Sequence, residues 1–114
     1  MKPIEIEGTV YSVLEKLAHG RFEELEQSLD RALISAETMK QAIAEYGRHL
    51  VVPPPGWQSS LDVVPVKGSA PQAWSVVTPL WTREEGRSDL SLELTIVVGN
   101  GGCRILQIEN LHVR

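Results

Sequence analysis

The chain has 114 residues and a mass of 12.6 kDa, with 42% hydrophobic and 23% charged residues, a balance that excludes disorder of the whole chain. A net charge of −4, a pI near 5.3 and scattered basic residues exclude nucleic acid and anionic membrane surfaces as expected partners. Cys103 is the single cysteine, which excludes an internal disulfide and a Cys-based zinc site within one chain.

The opening stretch, Met1 to Glu7, lacks the apolar core and cleavage site of a signal peptide, and no apolar run approaches the ~20 residues of a membrane span. A cytoplasmic location is therefore expected. Val10, Val13, Leu14 and Leu17 then repeat at helical spacing, with Thr9 placed to cap the helix and Gly20 to stop it. A second short helix starts near Arg21, with Phe22, Leu25 and Leu29 as its apolar stripe and Glu23, Glu24 and Glu26 toward water. Ser35 caps a third helix that buries Met39, Ala42, Ile43 and Tyr46, and Gly47 ends it.

Pro53-Pro54-Pro55-Gly56 cannot continue a helix, and beyond it the apolar period changes from about 3.6 to 2. Strands are predicted over 61–66, 73–81, 88–98 and 103–113, with Pro65 marking the first as an edge strand. Gly68 to Pro71 links the first pair. Glu84-Glu85-Gly86 fits a three-residue hairpin loop with Gly86 left-handed, and Asn100-Gly101 is a two-residue hairpin signal. Along the third strand, Leu90, Leu92, Leu94 and Ile96 point one way and Ser91, Glu93, Thr95 and Val97 the other. The leucine face needs cover, and the helices supply it. The expectation is one α+β domain over 1–114: helices in 9–47, a proline-rich connection at 53–56, and a curved four-stranded antiparallel meander over 61–113.

The string Pro79-Leu80-Trp81-Thr82-Arg83-Glu84-Glu85-Gly86-Arg87-Ser88-Asp89-Leu90 resembles the central motif of a family of small, uncharacterised bacterial proteins. Tyr46-Gly47-Arg48 and Leu111-His112-Val113 resemble further segments of that family, which carries no established activity. At the level of fold, the Gly20 to Leu25 step followed by a curved sheet resembles NTF2-like (cystatin-like) domains. That likeness implies a cavity between sheet and helices used for ligands or small reactions, and dimerisation through the sheet.

Trp81, Arg83, Glu84, Arg87 and Asp89 are the expected ligand- or partner-binding residues, because they concentrate charge and an aromatic ring at one hairpin. The alternative is a solvated turn whose charges pair across the strands. Arg87 and Asp89 stand out, since a planar guanidinium holds a carboxylate with two bonds. Trp74 and Trp81 differ by an odd number, which sends them to opposite faces unless Pro79 inserts a bulge.

As acid–base candidates there are Asp89, Glu93 and His112. Asp89 and Glu93 lie ~13 Å apart along a strand, too far to share a proton. No histidine pair has metal-ligand spacing, Cys103 has no activating base beside it, and neither metal nor cofactor is expected. A non-catalytic binding module for a small molecule or a protein, immunity-type being one version, competes with a small NTF2-like enzyme using one acid or base. A homodimer through the sheet face or edge is expected, because Val77, Val97 and one hairpin tryptophan place apolar area where the helices cannot reach.

Overall fold

The helical stripe read from the sequence is buried, but it begins earlier than its expected cap. In the computed structural model, which describes residues 4–99 and 101–113, α1 runs Ile4–Ala18. Ile6 extends the apolar face of Val10, Val13, Leu14 and Leu17, all of them 3% exposed or less. Thr9 is therefore inside the helix, where its hydroxyl donates to the Glu5 carbonyl at 2.9 Å instead of capping. Gly20 stops the chain at φ +73° before α2 (Phe22–Gln27). α3 (Ala36–Tyr46) is capped as expected: the Ser35 hydroxyl accepts from the Thr38 N–H, and Gly47 closes the helix at φ +76°.

The open antiparallel sheet has five strands, not four: β1 (Leu50–Val51), β2 (Asp62–Pro65), β3 (Ala73–Thr82), β4 (Gly86–Gly99) and β5 (Gly102–Val113). β2 to β5 form the expected meander. β1 was not foreseen because two residues carry no alternation. β1 and β2 share one edge of β3, pairing with 81–82 and 74–77 respectively. Between them the chain leaves the sheet through the prolines and a 3-10 turn, Trp57–Ser60. Pro65 sits on the edge as expected. Val66 donates to the Ala73 carbonyl, so the Pro65 nitrogen one residue away turns from β3, where a missing N–H costs no bond. Thr82 and Gly86 close the hairpin with Gly86 at φ +73°. Asn100 of the expected second turn lies outside the described residues, as do Met1, Lys2 and Pro3; β4 and β5 pair up to Gly99 and Gly102.

Leu90, Leu92, Leu94 and Ile96 face the helices with 1% exposure or less, against Val10, Val13, Leu25 and Met39. Side chains therefore occupy the space between the layers. The two tryptophans depart from the parity reading. A bulge between Pro79 and Trp81 shifts the register, and both Trp74 and Trp81 pack with the core. Pro79 falls in the gap between β1 and β2, where β3 has no edge neighbour to lose. Two further shifts against β4 make Leu106 and Glu109 extra residues, so Ile105, Ile108 and Leu111 reach the core at spacings of three. The β5 edge is partly covered: Asp30 and Arg31 donate their backbone N–H groups to the carbonyls of Ile105 and Leu106. Among the described residues, no helix is long and apolar enough to cross a membrane.

Candidate functional site

The β3–β4 hairpin is positioned by the segment that leaves α3. Gly47 turns the chain so that Tyr46 and His49 reach the hairpin from two sides. The Tyr46 hydroxyl donates to Glu85 Oε1 at 2.7 Å and accepts from the Asp89 N–H at 3.2 Å. Thr82, 1% exposed, donates to the same carboxylate and accepts from the Glu85 N–H. Partial burial, and then the Glu85 carboxylate, push the Tyr46 phenol above its ordinary pKa.

Glu84 is held by His49. Its Oε1 accepts the His49 backbone N–H at 2.9 Å, and its Oε2 lies 2.5 Å from His49 Nδ1. These hydrogen bonds, the ring's first, lower the Glu84 carboxyl to about 2. On the other side of the same short segment, the Arg83 N–H donates to the His49 carbonyl at 2.8 Å. The Tyr46-Gly47-Arg48 segment and the hairpin motif, more than 30 residues apart in sequence, thus form one hydrogen-bonded unit.

Both hairpin glutamates are committed to this scaffold, so cross-strand pairing of the hairpin charges does not occur. Among the described residues, Arg48, Arg83, Arg87 and Asp89 make no ion pair. Arg87 and Asp89 open instead onto a cleft of ≈ 300 Å³, which Ser60 and Asp62 from the β2 side and Pro79 and Ser91 from the sheet also line. The cleft exists because residues 52–61 leave the sheet, exposing the sheet floor at Val77 and Pro79.

The five expected binding residues therefore divide. Arg87 and Asp89 share the cleft, Glu84 and Arg83 lie in the pinned turn, and Trp81 is 6% exposed in the core, edge-on to Trp57. The acid–base candidates divide too. His112 sits opposite Ser91 on β5, with its Nε2 3.4 Å from Glu93 Oε2 and its Nδ1 buried without a partner. Asp89 belongs to the cleft and is not paired with them. Burial, followed by the Glu5 charge, raises the Cys103 thiol pKa, which disfavours the thiolate a nucleophile needs. Among the described residues, no three His, Cys, Asp or Glu side chains gather around a metal position.

Sequence reasoning missed Asp62, Ser60, Tyr46 and His49 as contributors. For Tyr46 the signal was its place beside Gly47 and Arg48 at the end of α3. For Asp62 and Ser60 there was none, because only the strand order brings them beside Arg87. Residues 14–114 match the model of a domain of unknown function, DUF7668. No curated protein and no solved structure matches the chain.

Proposed function

Because this chain belongs to a family of domains of unknown function, we propose its role from its own geometry: a non-catalytic module that binds a ligand or partner at the Arg87–Asp89 cleft. The observation that carries this reading is the division of labour at the hairpin. Glu84 and Glu85 serve as anchors, while Arg87, Asp89 and Asp62 line one cleft with no ion pair among the described residues. The planar Arg87 guanidinium can take a carboxylate or phosphate in two bonds, and the aspartates favour a cationic group beside it. An immunity-type role toward a basic partner is one form of this reading, supported by the net charge of −4. A cytoplasmic homodimer belongs to the same reading.

Titration of labelled protein with succinate and with inorganic phosphate tests it. We expect amide shifts confined to 60–62 and 87–91, and their loss in Arg87→Ala. Shifts scattered over the surface, or unchanged in Arg87→Ala, overturn the cleft as the site.

The second reading, an NTF2-like enzyme, draws on one observation: the Glu93–His112 contact beside Ser91 on the outer face. It requires turnover that His112→Gln abolishes while binding persists. The close packing between sheet and helices supports the binding reading over this one.

A further inference from the structure

Two serines of β4 are buried, and they differ in what their hydroxyls do. Ser88, 6% exposed, spends its hydroxyl on the Leu80 carbonyl and the Leu90 N–H. Ser91, 4% exposed, lines the Arg87–Asp89 cleft, and its hydroxyl makes no hydrogen bond among the described residues. A hydroxyl withdrawn this far from water costs free energy unless a partner reaches it, and the cleft is the side from which one can.

The charges around Ser91 are spaced along the cleft. Arg87, Asp89 and Ser91 occupy alternate positions of β4 and share its outer face, ~7 Å from one to the next. The Asp89 backbone is held by the Tyr46 hydroxyl at 3.2 Å. Asp62 comes from β2, level with Val77 of β3 and through it with Glu93 of β4. It therefore lies two strands across and four residues along from Asp89, ~16 Å between backbones, so one ammonium group cannot meet both carboxylates. Half-buried Val77 and Pro79 floor the stretch between the two acids.

We infer that the ligand of this cleft is a free amino acid with a basic side chain, an inference that rests on the binding role proposed above and names its chemistry. Arg87 receives the α-carboxylate in two bonds, while Asp89 and the Ser91 hydroxyl accept from the α-ammonium. The methylenes lie on Val77 and Pro79, and Asp62 takes the side-chain cation. One guanidinium and two carboxylates are matched by one carboxylate and two cations, each in its place. A simple carboxylate leaves both aspartates unpaired, and a diamine leaves Arg87 unpaired and repelled.

L-Lysine is the probe, followed by amide shifts of the labelled protein. L-Norleucine lacks the side-chain ammonium, cadaverine the carboxylate, and Nα-acetyl-L-lysine the free α-ammonium. We expect saturable shifts at 60–62 and 87–91 with lysine, and binding about fivefold weaker for each of the other three. Asp62→Asn, at an exposed edge position, should lower lysine to the affinity of norleucine and leave norleucine unchanged. Ser91→Ala should weaken both. Equal binding of lysine and norleucine, or a lysine preference that survives in Asp62→Asn, overturns the inference. Equal binding of Nα-acetyl-L-lysine also overturns it, assigning the cleft to the C-terminal residue of a peptide. Shifts with succinate but none with lysine overturn this inference alone, whereas silence toward both removes the cleft role beneath it as well.

Discussion

Glu84 and Glu85 are neighbours in one turn, yet different parts of the chain hold them: His49 takes the first and Tyr46 the second. The chemical consequence is sharpest at Glu84, whose carboxyl is lowered from 4.5 to about 2. A group with a depressed folded pKa contributes stability that is present above its unfolded value and lost as pH falls through the folded one. The His49–Glu84 contact is therefore expected to be intact above pH 4.5 and to fail progressively toward pH 2. His49→Ala removes the ring and keeps the backbone N–H, so it should raise the Glu84 titration part of the way toward the ordinary carboxylate range and speed amide exchange at residues 83–85. A carboxyl-carbon NMR titration checks this, and a midpoint still near 2 in His49→Ala would assign the shift to another cause. Which acid pairs with which residue was not legible in the sequence: alternating charges in a hairpin suggest cross-strand pairs, and only the path out of α3 redirects them.

At the level of elements, what was legible rested on local chemistry and what was not rested on register. The Ser35 cap, the Gly47 and Gly86 left-handed turns and the leucine face of β4 each depend on residues within a few positions of one another. The bulges do not. In β5 the apolar residues Ile105, Ile108 and Leu111 step by three, a visible departure from period 2, but its meaning depends on β4 opposite.

At the β3 bulge the broken ladder is repaired by Ser88, whose buried hydroxyl donates to the Leu80 carbonyl at 2.8 Å and accepts from the Leu90 N–H. Ser88→Ala leaves both backbone groups without that partner, so we expect a loss of ~1–3 kcal/mol in denaturant unfolding. Ser91→Ala, at an equally buried serine whose hydroxyl makes no such bridge among the described residues, should cost clearly less. Equal midpoints for the two variants would show that Ser88 is not the repair.

For the molecule as a whole, the expected dimer has to be argued from a different place. Val97 is only 5% exposed and both hairpin tryptophans pack with the core, so the outer face offers less apolar area than its sequence suggested. Exposed valines gather instead along the β1/β2 edge, where Val51, Val52, Val64 and Val66 keep between 38% and 52% of their surface in water. Sedimentation at micromolar concentration should find a species of twice the 12.6 kDa chain mass, reduced to one chain by Val64→Lys. A single 12.6 kDa boundary for the parent protein would refute the association. The opposite edge decides how far such association goes. Asp30 and Arg31 already occupy carbonyls of β5, and the extra residues Leu106 and Glu109 bend it away from a straight ladder. A sheet that joined at one edge, with the other partly covered and bent, would pair two copies without offering a straight edge for growth into fibres.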